Sequence, residues 1–507
     1  MPAHTTEPAG TMRALIALSL ACAFGIFAFV AAIGLIGSTL VAVIAAVGTA
    51  AFVAWLFWRH PIIPLDEGTT SRAVIVISGL ATLAALFQLV RLCVFIINPA
   101  QVGYAISPSR GPGLMPTHSC LSAYFVAAQA VATVSNVYEY ELYSYPAESP
   151  TALRKPRRLE MFNIDAYEYP PPFLLLPRAL AILVPDFLRF RMIWFALNGA
   201  VLLIGLLAVA RMLGPIAGRR ALLFSPLVLA SDLVLGTLQI GNLQAIVFSV
   251  AMIAMVLLAQ RRYAAGGALL AFATVSKLFP GLLLVYLLVR REWRALAWTS
   301  GLMAVLVVIS LLDTGWTPYQ AFLDHLPRLL SGESFPAFRN PGAVAKNYSV
   351  PGMVFKLQLF GVAGASFGAM KIVGWIYTLV VLAITVIVAR RTLKREEEPL
   401  VWLTILILAS LRSPFLPGYA VIPVLWLLTL LAATFAPTVR MLCGTVLAWA
   451  ILNIAVAQQG PDPRLISLII LLPQIVIVIL IMVALRSRTG SLNHAPGSVG
   501  LATSSVE

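Results

Sequence analysis

Charge is what this sequence has least of. Asp, Glu, Lys and Arg together supply 11% of its 507 residues against 60% hydrophobic ones, and mean hydropathy is +0.93. Soluble domains are roughly one quarter charged and half apolar, so water is excluded as the principal solvent. Acidic residues are scarcest, 20 against 35 Lys plus Arg. Cysteine is sparse as well: Cys22, Cys93, Cys120 and Cys443 are scattered, with neither metal-site spacing nor a disulfide framework. No metal ligand set and no cofactor is expected from them. The short alternating segments of a membrane β-barrel are missing, which removes that class. Also missing is a contiguous basic face interleaved with aromatics, so the net charge of +15 does not point to nucleic acid.

What the chain has instead is apolar runs of about 20 residues, long enough to cross a bilayer as helix. They fall at 13–33, 38–58, 72–97, 188–212, 219–237, 244–260, 264–276, 279–290, 295–313, 367–390, 399–413, 418–435, 441–458 and 465–485. The expectation is an all-α polytopic membrane protein with about fourteen membrane segments. The first run resembles a signal peptide, but a second follows at once without a cleavage site, so it reads as a retained helix. The segments 264–276 and 279–290 are too short to span and read as two halves meeting near Lys277 and Pro280.

Basic residues sit in short clusters between the runs: Arg219 and Arg220, Arg261 and Arg262, Arg290, Arg291 and Arg294, Arg390, Arg391, Lys394 and Arg395, Arg486 and Arg488. With the N-terminus inside, every cluster falls on the cytoplasmic face, as the positive-inside rule requires. The chain then divides into N-terminal membrane helices at 1–97, an outer loop at 98–187, core membrane helices at 188–313, a second outer loop at 314–366, C-terminal membrane helices at 367–486 and a disordered cytoplasmic tail at 487–507. A plasma-membrane location with both termini cytoplasmic is expected. Apolar stretches at 121–134, 172–184 and 351–361 are too short to cross and read as interfacial or half-buried helices.

The first outer loop concentrates reactive side chains: His118, Glu139, Glu141, Glu148, Glu160, Asp165 and Glu168, the basic run Arg154, Lys155, Arg157 and Arg158, and tyrosines including Tyr124, Tyr138, Tyr167 and Tyr169. Carboxylates supply a general base, and basic residues answer phosphate. Against this stands the plain reading of a solvated loop with an aromatic belt. Asp165 and Glu168 directly precede a proline-started apolar segment, which places them at the membrane boundary, where desolvation raises a carboxylate's pKa. Polar groups inside apolar runs form a second set, because each is costly in hydrocarbon. They are Asp232, Lys277 in Ser276-Lys-Leu-Phe-Pro280, and Arg412 in Leu411-Arg-Ser-Pro414. A lysine at a helix break suits a phosphate pocket; its plain alternative is a side chain reaching for the interface.

These motifs occur in a telling order. Tyr124 with Ala127 and Ala128, Asn136-Val-Tyr138, Tyr169-Pro-Pro-Pro-Phe-Leu-Leu-Leu-Pro177, Gln239-Ile-Gly-Asn-Leu-Gln244, a glycine-led helix ending in Lys277-Leu-Phe-Pro280 and the basic turn Arg290-Arg-Glu-Trp-Arg294 come first. Asn347-Tyr-Ser349 and Ser413-Pro414 follow. Together they make residues 118–435 resemble glycosyltransferase family 87, membrane enzymes of the GT-C fold that take a sugar from a polyprenyl-phosphate donor. The resemblance implies transfer, with inversion, of a mannose- or arabinose-like sugar to an extracytoplasmic glycan or glycolipid. It implies Lys277, Tyr124, Tyr169, Asn242 and Asn347 as substrate-binding residues, and no metal; Arg412 and Lys346 are the further cations expected to bind substrate, at the donor phosphate. The family's acid shortly before the tyrosine is missing, since this chain reads Pro116-Thr-His-Ser-Cys-Leu-Ser-Ala-Tyr124. The base is then Asp165, Glu168 or His118, with Asp165 favoured. A transporter or lipid flippase, and an inactive member of the same fold, are the rival readings.

Overall fold

The computed structural model describes residues 6–7, 9–59, 70–106, 116–145, 155–418, 421–456 and 462–486. Glu148, Arg154 and the tail at 487–507 lie outside them.

In hydrocarbon a backbone must satisfy its own hydrogen bonds, so long uncharged runs have helix as their only open-chain solution. The chain begins with three such helices, α1 (Ala9–Ile36), α2 (Thr39–Arg59) and α3 (Arg72–Ile97). Small residues let α1 and α2 approach closely: a Cβ added to Gly25 would stand 3.0 Å from the Ala46 carbonyl oxygen. The connection to α6 (Phe187–Met212) carries two short helices, α4 (Cys120–Ala130) and α5 (Leu175–Leu183). Both coincide with the stretches read as non-spanning. Most of α4 is buried, including Leu121, Tyr124 and Ala127, so it packs within the protein. On α5, by contrast, Ile182 and Leu183 are exposed apolar residues.

Then come α7 (Gly214–Leu229) and α8 (Asp232–Ile240), bent by 63° at their junction. The apolar run predicts one continuous segment through 219–237. Pro226 weakens the last turns of α7, and Ser231 caps a new helix by accepting from the Leu233 amide, so Asp232 opens α8 instead of ending a span. Next are α9 (Gln244–Ala259), α10 (Tyr263–Ser276), a 3₁₀ turn at Phe279–Gly281 running into α11 (Leu282–Val289), and α12 (Trp293–Thr314). The break expected near Lys277 and Pro280 is present. The second long connection holds α13 (Thr317–Ser331), α14 (Pro341–Ala345) and α15 (Met353–Leu359). The chain closes with α16 (Phe367–Ala389), α17 (Glu398–Ser410), α18 (Ile422–Thr434), α19 (Val439–Leu452) and α20 (Pro463–Arg486).

Among the described residues, seven helices are long and apolar enough to span, or eight with the bent α7–α8 pair. The chain is a polytopic α-helical membrane protein. The other expected segments are apolar helices of 10–17 residues. Of these α9, α17 and α18 are almost wholly buried, and α17 gives way to loop where a cavity opens.

Three short sheets among the described residues depart from the all-α expectation, and one of them shapes the site. His118–Ser119 pairs parallel with Phe162–Ile164, in register His118 to Asn163 and Ser119 to Ile164, and Arg158–Leu159 pairs antiparallel on the other side. Strands of two and three residues carry too little alternation to show in a sequence. The pairing nevertheless decides where Asp165 goes.

Candidate functional site

A cavity of about 380 Å³ lies between the first long connection, the break between α10 and α11, α13 and the loop after α17. Asp165, Glu168 and His118 line it together with Lys277, although up to 159 positions separate them in the chain. Tyr124, Tyr169 and Asn242 line it as well.

Strand pairing builds the wall that holds Asp165. Because Ile164 stands beside Ser119, Asp165 follows directly alongside Cys120. Ser122 fastens this junction: its hydroxyl accepts from the Asp165 amide at 3.0 Å and donates to the Asn163 carbonyl at 3.2 Å. The Asp165 carboxylate reaches to 4.0 Å from His118 Nε2, and its side chain stays 40% exposed to the cavity. His118 Nε2 is 3.5 Å from Cys120 Sγ, and Asn242 Nδ2 approaches the same sulfur at 3.3 Å. Donor atoms of His118, Cys120 and Asp165 all fall within 4.8 Å of one another, so these are the residues of the cavity that could hold a metal ion.

Glu168 makes a second acid–histidine pair. Its Oε2 is 2.6 Å from His325 Nε2 of α13, and both side chains are mostly buried, at 16% and 13% exposure. Burial pushes the Glu168 carboxyl above the usual carboxylate range, and the hydrogen bond from His325 works against that rise. Tyr138 stacks on the His325 ring at 5.1 Å and donates from its hydroxyl to the Tyr169 carbonyl at 2.7 Å. His325 escaped the sequence reading because it lies 157 positions from Glu168, within no motif. The available signal was its place among only 5 histidines, on the helix entering the second long connection.

A hydrogen-bonded chain forms a further part of the lining. Gly241 ends α8 in the left-handed conformation at φ +69, and a Cβ there would stand 2.8 Å from Cβ of Leu121. This close approach presses α4 onto the turn, where the Leu243 amide donates to the Tyr124 hydroxyl at 3.2 Å and Tyr124 donates to the Tyr169 hydroxyl at 2.8 Å. Gln244 accepts at 2.6 Å from Lys277 Nζ, which lies 5.4 Å from the Tyr169 ring centre. The break after Ser276 therefore aims the lysine into the cavity between an amide oxygen and an aromatic face.

Arg412 does not line this cavity. It lines an adjoining one of about 370 Å³ that shares Leu278, Phe279, Leu330, Ser413 and Pro414, and its Nε donates to Thr378 at 2.8 Å. Two expected binding residues sit elsewhere. Asn347 is fully buried and spends its amide on backbone: it donates to the Pro414 carbonyl at 3.1 Å and accepts from the amides of Leu416 and Ser349 at 2.9 and 3.0 Å. Asn347 thus fixes the Ser413–Pro414 wall and touches the cavity only through it. Lys346 points away, donating to the Val456 carbonyl, and lines no part of either cavity.

With this geometry in place, the comparisons bear on the resemblance. A family model, Glycosyltransferase family 87, matches residues 167–416, a span holding Glu168, Tyr169, Asn242, Lys277, His325 and Arg412. Asp165 lies two residues before the matched span and His118 lies 49 residues before it. No curated protein and no solved structure matches the chain.

Proposed function

Over residues 167–416 the chain belongs to glycosyltransferase family 87, and from that premise we propose that this membrane glycosyltransferase takes a sugar from a polyprenyl-phosphate donor. The observation that carries this reading is that Asp165 and Lys277, an acceptor for protons and a cation, line one cavity. An acceptor hydroxyl enters beside Asp165, which takes its proton as the oxygen attacks the anomeric carbon. The bond from that carbon to the phosphate oxygen breaks, and the configuration inverts. Polyprenyl phosphate leaves with the added negative charge, and Lys277 Nζ meets it. A single phosphate carries little enough charge for a lysine to answer it. His118, 4.0 Å from Asp165, is placed to relay the proton outward. Glu168, fixed by His325, suits a sugar hydroxyl, since its carboxylate is held in one orientation.

The missing family acid has a geometrical replacement. Cys120 and His118 occupy the stretch where that acid is expected, and parallel pairing brings Asp165 to the same place from 45 positions further along. The adjoining cavity beside Arg412 suits the lipid end of the donor, being lined by Leu282, Val381 and Leu382. The acceptor is a glycan or glycolipid on the non-cytoplasmic side, in the plasma membrane.

The test is reconstitution of the full chain in liposomes with polyprenyl-phosphate mannose or arabinose and a glycolipid acceptor. Transfer that fails when a nucleotide sugar replaces the lipid donor supports the reading. Transport of the lipid-linked sugar without any new glycosidic bond would favour the flippase class instead.

A further inference from the structure

A second polar cavity lies at the other end of the α10–α11 hairpin. Helix α10 runs 14 residues from Tyr263 to Ser276, about 20 Å, with Lys277 at the catalytic end. Beyond the opposite end, the turns joining α9 to α10 and α11 to α12 enclose about 650 Å³ with the start of α17. Arg261, Arg290, Arg291 and Arg294 line this space, against Glu292 and Glu398. Arg290 is already engaged, 3.3 Å from Glu398 and bonded to the Arg391 carbonyl at 3.1 Å. That leaves Arg261, Arg291 and Arg294 facing the cavity with one further acid.

Two observations separate this space from a generic basic loop. Arg261 and Arg291 adopt left-handed backbone conformations, φ 62 and φ 58, at the ends of α9 and α11, where glycine is the usual occupant. At both turns the chain carries an arginine that lines the same cavity. Tyr286 forms part of the lining and is 2% exposed; beside its hydroxyl the Trp402 indole can only donate, so the hydroxyl proton has no acceptor among the described residues. A buried hydroxyl of this kind costs free energy unless something enters to accept from it. The rim is amphipathic: Trp293 and Leu288 beside it are exposed apolar residues, as at a bilayer surface.

We propose that this cavity is a binding site for a phosphate-bearing headgroup, distinct from the catalytic cavity and independent of the reaction assigned to that one. Guanidinium groups pair with phosphate oxygens in bidentate fashion, and a phosphate oxygen would accept from the Tyr286 hydroxyl. The ligand is a phosphate anion held at the membrane surface, either an anionic phospholipid headgroup or a soluble phosphate compound. Its occupation would tie together the ends of α10, α11, α12 and α17, and so the hairpin that presents Lys277.

The experiment titrates phosphatidylglycerol, phosphatidylcholine and inorganic pyrophosphate each alone onto the full chain in detergent, and pyrophosphate also against bound phosphatidylglycerol, with binding read by native mass spectrometry. Three variants are compared: the double variant Arg261→Asn with Arg294→Gln, in which asparagine tolerates the left-handed turn, then Tyr286→Phe, and the control Arg390→Gln. Arg390 belongs to another basic cluster and lies outside the cavity. Retention of one or more phosphatidylglycerol molecules, weakened about tenfold or more in the double variant and less in Tyr286→Phe, with Arg390→Gln unchanged, supports the site. Competition by pyrophosphate assigns the source to soluble phosphate, and its failure to compete assigns it to lipid. Equal loss in Arg390→Gln, or no loss in the other two variants, overturns the proposal, because surface charge alone would then explain the binding.

Discussion

Asp165 stands beside Cys120 because the strand before it, Phe162–Ile164, runs parallel to His118–Ser119, which brings its carboxylate to 4.0 Å from His118 Nε2. In the proposed reaction this carboxylate, arriving from a neighbouring strand, stands in for the one missing from the segment before Tyr124, and the first prediction rests on it. Losing a general base costs about 10²–10⁴-fold in rate. Asp165→Asn keeps the shape and the bond from its amide to Ser122, so turnover should fall by that order with little change in melting temperature. His118→Ala should cost less. The ranking is wrong if Asp165→Asn retains full turnover while His118→Ala is dead.

The phosphate side is tested at Lys277. Its Nζ is held by Gln244 at 2.6 Å and faces the cavity from the helix break. Lys277→Ala should abolish transfer from a polyprenyl-phosphate sugar while the protein still elutes as a folded species in detergent, and Gln244→Ala should weaken donor use without abolishing it. Full activity in Lys277→Ala would move the phosphate to Arg412, the cation of the adjoining cavity.

Much of this was legible in the sequence, and the parts that were not have physical causes. Long apolar runs identify α1, α2, α3 and α16 because, outside a closed barrel, only a helix satisfies the polar backbone in lipid. The break at Lys277 was visible because a cation, a following proline and two short apolar halves agree. The bend before Asp232 was not, since Pro226 and Ser231 act locally inside a run that reads as continuous. Asp165, Glu168 and Lys277 were legible by composition and position. His325 was not, because its link to Glu168 is purely tertiary. The motif around Asn347 reads as a ligand site, whereas its amide bonds to the backbone of Pro414 and Leu416.

The pair formed by Glu168 and His325 gives a pH prediction whose sign follows from burial. Glu168 has a carboxyl pKa raised in the folded protein, mainly by desolvation. A group of this kind contributes stability that is fully present below its unfolded pKa and is lost as pH rises through the raised folded value. The cost of the buried charge is therefore carried at high pH, and Glu168→Gln, which removes the charge, should raise the melting temperature relative to the parent more at pH 8 than at pH 5. Thermal unfolding of both proteins in detergent at the two pH values checks it, and a difference that is equal or reversed would mean that the ion pair with His325 outweighs desolvation.

Asn347 and Lys346 are adjacent in the chain, yet they should behave oppositely. Removing the Asn347 amide leaves the Leu416 and Ser349 amides without their acceptor, and the Pro414 carbonyl keeps only the Ser349 hydroxyl at 2.6 Å. Each unsatisfied buried group costs about 1–3 kcal/mol, so Asn347→Ala should destabilise the protein by about 2–4 kcal/mol. Its activity should fall because the Ser413–Pro414 wall of the cavity loosens. Lys346 has been drawn down to about 8 by burial and is tied to the Val456 carbonyl. Lys346→Met keeps the aliphatic stem and should leave turnover and donor affinity within about twofold, a change of less than 1 kcal/mol. Donor KM decides between the two roles: if Asn347 contacted the donor, KM would rise in Asn347→Ala at a temperature where the fold is intact, whereas a wall-fixing role lowers the fraction of active enzyme and leaves KM near the parent value.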